Sequence, residues 1–145
     1  MAHLETSITI NRPSEEVFAF VVDPQNAVKW EGSVVDAANT SSGPIGVGTT
    51  QRYSFKFVGQ KIESTSKITV YDAPRQFAWK STAGPFPVSG GYTFESVPGG
   101  TRMIYRTDVE PGGFFKLAGP LLTRQMQSQL ENDLKKLKQV LEAQA

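Results

Sequence analysis

The sequence predicts an α+β fold: a curved antiparallel sheet of six to seven strands wrapped around one long C-terminal helix, with two short helices after the first strand. Three observations predict it. Between residues 34 and 110 apolar and polar side chains alternate in run after run, the period-two pattern of half-buried strands. Gly, Pro and Asp clusters, not helical stretches, separate these runs, so neighbouring strands turn back on one another. Beyond Pro120 the pattern changes. Leu122, Met126, Leu130, Leu134, Leu137 and Leu141 recur at steps of three or four, with Phe115 seven residues ahead of them, which draws one apolar stripe along a helix.

Residues 4–10 place Leu4, Thr6, Ile8 and Ile10 on one side and Glu5, Ser7 and Thr9 on the other, as a half-buried strand does. Asn11-Arg12-Pro13 ends it. Ser14 is the expected N-cap of a short helix, with Glu15 and Glu16 in the first turn, where the helix dipole favours acids. Val17, Phe18, Phe20, Val21 and Val22 form its buried side. Asp23-Pro24 closes it and caps a second short helix over 24–29 that presents Trp30.

Val34-Val35 starts a weak strand, and Ser41-Ser42-Gly43-Pro44 and Gly46-Val47-Gly48 are turn and flexible points. Strand 49–57 alternates Tyr53, Phe55 and Phe57 with Arg52, Ser54 and Lys56. After a hairpin turn at Gly59-Gln60, strand 61–71 sets Ile62, Ser64, Ser66, Ile68 and Val70 against Lys61, Glu63, Thr65, Lys67 and Thr69. Asp72-Ala73-Pro74 breaks the run, and Phe77, Trp79 and Ser81 then alternate with Gln76, Ala78 and Lys80. A stiff loop over 82–87 leads to strand 88–96 with Tyr92 and Phe94, where Gly90-Gly91 is expected to mark a bulge or sharp bend. Pro98-Gly99-Gly100 turns into strand 101–110, which places Met103, Tyr105, Thr107 and Val109 opposite Arg102, Ile104, Arg106 and Asp108. In the terminal helix Pro120 is expected to kink or interrupt the first third. Asp133, Lys135, Lys136, Lys138 and Glu142 are assigned to its solvated side.

A length of 145 residues suits one domain spanning 1–145. Fifteen basic against 14 acidic residues leave a net charge of +1, so attraction to nucleic acid is not expected. There is no Cys, and the one His is His3, which excludes a Ser-His-Asp triad, a Cys nucleophile or a multi-His metal centre within this chain. No acidic loop of calcium-binding type is present, so neither a metal nor a cofactor is expected. Gly43, Gly46 and Gly48 lack the trailing Lys-Ser/Thr of a phosphate-binding loop. The N-terminus lacks the basic and apolar regions of a signal peptide, and no apolar run nears the ~20 residues of a membrane span, so no membrane insertion and a cytoplasmic location are expected.

A sheet with one apolar face needs a cover, and the terminal helix is the only element large enough to supply it. Wherever a curved sheet bends away from that helix a gap is left in which a ligand can sit.

The segment Ser14-Glu15-Glu16-Val17-Phe18-Ala19-Phe20-Val21-Val22-Asp23-Pro24, with Trp30 beyond it, resembles the opening of the START/Bet v 1-like (SRPBCC) superfamily in its polyketide cyclase/dehydrase branch. Asp72-Ala73-Pro74-Arg75, Pro98-Gly99-Gly100-Thr101-Arg102 and the terminal amphipathic helix fall where that family has them, so the resemblance covers nearly the whole chain. It implies a helix-grip fold with an apolar cavity between helix and sheet. About activity it implies less, since the superfamily includes lipid and hormone binders, aromatase/cyclases, quinone-binding proteins and chaperone-ATPase activators.

The expected lining of such a cavity is Trp30, Tyr53, Phe55, Phe57, Ser64, Ser66, Ile68, Phe77, Trp79, Tyr92, Phe94, Met103, Tyr105 and Thr107 from the sheet side, with Phe115, Leu122, Met126 and Leu130 from the helix side. Large rings with few branched aliphatics pack poorly against a single helix, which favours residual space, although any one ring is as readily ordinary core. The hydroxyls interleaved among the rings call for bound water or a ligand with polar atoms. The stretches 84–87 and 111–118 are candidates for the rim.

Catalytic groups are harder to assign. Arg52, Lys56, Lys61, Glu63, Lys67, Arg102, Arg106 and Asp108 fall on the outer face, whereas the facing of Glu31 and Asp36 is left open. The expected function is binding of a small hydrophobic or aromatic molecule, such as a lipid, polyketide or quinone. One alternative is a cyclase/dehydratase in which Tyr53, Tyr92 and Tyr105 polarise a folded chain. Another is a regulatory protein-interaction module. A homodimer through edge strands or the exposed helix face stays open.

Overall fold

The computed structural model describes residues 2–57, 59–84, 87–110 and 119–143. Among these, seven strands form one antiparallel sheet: β1 (Ala2–Ile10), β2 (Val34–Asn39), β3 (Thr50–Phe57), β4 (Gln60–Asp72), β5 (Gln76–Ala83), β6 (Val88–Val97) and β7 (Gly100–Val109). Their spatial order is β1-β7-β6-β5-β4-β3-β2, so β2 to β7 are a meander and β1 adds to its far end. Helix α1 (Ser14–Val22), a single 3-10 turn (Pro24–Asn26) and helix α2 (Ala27–Trp30) fill the connection from β1 to β2, and helix α3 (Gly119–Ala143) crosses the concave face. No helix among the described residues is long and apolar enough to cross a membrane.

Three departures from the expected local structure have physical causes. Ser14 opens α1 but does not cap it with its side chain; its hydroxyl turns inward to Ser96 Oγ (3.1 Å) and Thr101 Oγ1 (3.0 Å), tying the helix to β6 and β7. Asp23 does cap the following turn, accepting from the Gln25 N–H at 3.0 Å. Pro120 lies in the first turn of α3, where a missing N–H costs nothing, so it begins the helix and does not kink it.

The sheet curls where its register slips. Irregularities interrupt the β2–β3 pairing between Val34 and Asp36, and the β4–β5 pairing between Thr65 and Ser66 and between Ile68 and Val70. The last of these reverses the facing of β4, so that Tyr71 and not Val70 turns inward, with its ring 5.4 Å from Phe18 and 6.2 Å from Phe77. The expected bulge at Gly90-Gly91 is absent, since β6 runs in register with both neighbours through both residues. What needs glycine there is close approach: a Cβ on Gly90 would stand 2.8 Å from the Trp79 indole and from the Arg106 carbonyl oxygen.

The core lies between the concave face and the C-terminal half of α3. Leu134, Leu137 and Leu141 are almost fully buried against Leu4, Ile10, Val17, Phe18, Phe94 and Met103. Phe18 meets Phe94 at 5.3 Å edge-on, and Phe77 stacks on Tyr92 at 5.8 Å. At this end of the grip the described side chains form one contiguous buried cluster.

Candidate functional site

The other end is hollow. A cavity of about 170 Å³ lies between the N-terminal half of α3 and all seven strands, with the turn after α2 at its side. Of the residues expected to line it, Phe55, Ser64, Trp79, Tyr105, Thr107, Met126 and Leu130 do so.

Trp30, Ser66, Ile68, Phe77, Tyr92, Phe94 and Met103 are instead buried beside the cavity, as core. Tyr53, half-buried, packs on a small cluster of Ala27, Val34 and Ala37. Phe115 lies outside the described residues, as do the side chains of Phe57 and Leu122, residues 85–86 and the whole stretch 111–118 proposed for the rim. The expectation fails for the packed rings because all inward-facing residues look alike in a period-two pattern, while only those far from α1 escape its coverage.

The wall also has members that alternation did not single out as lining: Leu4, Ile62, Val88 and Val109 from strands, Ser33 and Val34 beside α2, and Glu31, Gln129 and Asp133. The two acids change the chemistry of the site. Asp36 turns to the outside and pairs with Arg52 at 2.9 Å, whereas Glu31 opens on the cavity. Crowding by protein disfavours its charged form, and Asp133 nearby repels a second negative charge, so its carboxyl is pushed up from 4.5 to about 8. Asp133, assigned from the sequence to the solvated side of the helix, is only 5% exposed. It stands three residues after Leu130 and four before Leu137, on the apolar stripe itself, and that spacing was the available signal.

Asp133 Oδ1 accepts from the Gly32 N–H at 2.9 Å and from Gln129 Nε2 at 2.7 Å. Burial raises its pKa, and these two hydrogen bonds oppose the rise. Gly32 allows the approach: a Cβ there would stand 2.9 Å from the Gln129 amide nitrogen.

Tyr92 and Tyr105 meet edge-on at 4.8 Å, and Trp30 packs on both. Burial, above all, pushes the phenols of Tyr53, Tyr92 and Tyr105 up, and the nearby Glu31 adds to it, so all three stay neutral at ordinary pH. Trp30 Nε1 is buried without a hydrogen-bond partner, and the buried Thr107 hydroxyl has only the Tyr105 hydroxyl beside it. Outside, the strand charges are solvated or paired across strands, as in Arg102 with Glu95 at 3.3 Å and Arg106 with Glu5 at 2.6 Å.

The chain matches the family described as polyketide cyclase / dehydrase and lipid transport over residues 1–142. No curated protein matches it. In fold it is similar to TTHA0849 of Thermus thermophilus, with a TM-score of 0.86 at 22% identity over 99% of each chain. A START superfamily protein from Mycobacterium smegmatis is similar over 100% of each chain, with a TM-score of 0.82 at 16% identity. The Zhui aromatase/cyclase from Streptomyces sp. R1128 gives a TM-score of 0.77 at 15% identity, over 97% of this chain and 93% of that one. At such identities the likeness is one of fold. The whole sheet and all but the last residue of the terminal helix fall within the matched residues, and the chain belongs to the polyketide cyclase/dehydrase and lipid transport family.

Proposed function

We propose that the chain binds a small hydrophobic or aromatic molecule in the cavity between the sheet and α3. The observation that carries this reading is the hollow of about 170 Å³ at one end of an otherwise contiguous buried core, walled by Phe55, Trp79, Val88, Val109, Met126 and Leu130. Protein interiors are normally filled to crystal-like density, so space kept open under a long helix calls for an occupant. The family match, whose description includes lipid transport, agrees with such a role. The test is mass spectrometry of the small molecules released when the purified protein is denatured, together with saturable displacement of an apolar dye. A stoichiometric guest, or a dye displaced by aromatic compounds, is the expected result. Absence of both a copurifying guest and saturable binding across a broad panel overturns the reading.

A second reading, turnover of a polyketide-like or aromatic substrate, is favoured by one feature. Glu31 presents a carboxyl group inside the cavity that holds its proton up to about pH 8, as a general acid must. The Tyr105 hydroxyl is the nearest candidate for polarising a carbonyl, since Tyr53 and Tyr92 do not line the space. Product formation that survives in Y105F but is lost in E31Q assigns the proton to Glu31; binding of substrates without any product leaves the binding role alone.

A further inference from the structure

The cavity wall carries charge that its apolar residues do not explain. Glu31 and Asp133 both open on it, and no lysine, arginine or histidine is among the described residues that line it. The two donors that hold Asp133, the Gly32 N–H and the Gln129 amide, are neutral. On the outer surface, by contrast, Glu5, Asp36, Asp72 and Glu95 each face an arginine within 3.3 Å. Thr107, 6% exposed, also lines the cavity, and its buried hydroxyl has only the buried Tyr105 hydroxyl beside it. Enclosed carboxyl groups without a counter-cation are costly unless something completes them.

On the reading that the cavity is a binding site, we propose that its occupant is an apolar amine, with its hydrocarbon or aromatic body against Phe55, Trp79 and Met126 and its protonated nitrogen donating to Glu31 and Asp133. An ammonium group offers up to three donors and no acceptor, which complements ionised carboxyls and leaves Thr107 Oγ1 free to accept a further N–H. A metal ion is the poorer fit: no group of three or more His, Cys, Asp or Glu side chains stands together among the described residues, and the remaining walls are largely apolar.

The assignment has a proton signature. The groups that face Glu31 are Asp133 from α3 and the phenols of Tyr53, Tyr92 and Tyr105 from β3, β6 and β7. The phenols do not titrate below pH 10, so the proton that moves is the one on Glu31. A cation beside it favours the carboxylate, and amine entry below about pH 8 therefore expels that proton.

The experiment is calorimetric titration with three matched probes, 1-naphthylmethylamine, 1-naphthalenemethanol and 1-naphthoic acid, at pH 6 and pH 8 in buffers of different ionisation enthalpy. The amine is expected to bind at least tenfold tighter than the alcohol at pH 8, to lose several-fold at pH 6 and to release a proton there; the acid is expected to be excluded. E31Q and D133N are expected to remove the amine's advantage over the alcohol, read as the ratio of the two affinities within each variant. Equal binding of amine and alcohol, tighter binding of the acid, or an advantage that persists in both variants overturns the amine assignment and leaves the hydrophobic site standing. Failure of all three probes to bind overturns the binding reading together with it.

Discussion

The Gly32 N–H donates to Asp133 Oδ1 across 2.9 Å, joining the turn after α2 to the middle of α3. The bond positions both acids of the cavity, since Glu31 is the residue before Gly32 and Asp133 is its partner. A β-carbon at position 32 would reach 2.9 Å from the Gln129 amide nitrogen, the other donor to the same oxygen. Gly32→Ala is therefore expected to push the Gln129 amide off Asp133 while keeping the backbone N–H bond, and to destabilise the fold by about 0.5–1.5 kcal/mol, as loss of one side-chain hydrogen bond does. Urea denaturation of the variant alone and combined with Asp133→Asn checks it: the two losses should sum to less than their separate values, because they break one linkage.

Stability should fall as pH rises through the neutral range. The folded state holds the Glu31 proton up to about 8, whereas the ordinary value is 4.5, so between these limits the folded protein binds more protons than the unfolded chain. The stabilisation is complete below pH 4.5 and lost as pH climbs through 8, at no more than about 1.4 kcal/mol per pH unit. Unfolding curves at pH 5, 6, 7 and 8 should show this slope in the parent and its removal in Glu31→Gln.

Thr107→Val replaces a buried hydroxyl, which has only the Tyr105 hydroxyl beside it, by a methyl group of similar shape. The empty protein should gain no more than about 1 kcal/mol, because the desolvation of a poorly bonded hydroxyl is relieved while its contact with Tyr105 is lost. Thermal melts with and without a bound amine separate the two states: the gain should shrink when the guest is present.

Leu134, 1% exposed, anchors the contiguous buried cluster of the grip. Leu134→Ala is expected to cost about 2–5 kcal/mol, measured by urea unfolding, since the sheet and α3 relax only partly into the space left behind. Met126→Ala, at the hollow end, should cost less, because its side chain already borders open volume.

Alternation and turn residues made the strands and their inner faces legible, and the apolar stripe gave α3. What escaped was any feature set by a single-residue slip or by proximity in space. The irregularity between Ile68 and Val70 exchanges Val70 for Tyr71 on the inner face, and nothing in the run Lys67-Ile68-Thr69-Val70-Tyr71 announces it. Glu31 follows a four-residue helix, too short to carry a readable phase. Asp133 was hidden by its chemistry: a carboxylate reads as solvated even on the buried stripe. The division of the rings into packed core and cavity wall depends on how far α1 reaches, which only the assembled fold decides.

The strand order bears on how the chain assembles. Each strand from β2 to β6 pairs with its successor, so these contacts join segments close in sequence, whereas β1 sets Ala2 opposite Val109. Joining such distant segments loses the most chain entropy before any contact repays it. The meander can therefore zip together early, while the N-terminal strand, together with the terminal helix that packs on it, seals the grip last. The same seam is where amide protons should first exchange with solvent, which makes transient parting of β1 from β7 a natural route into the interior.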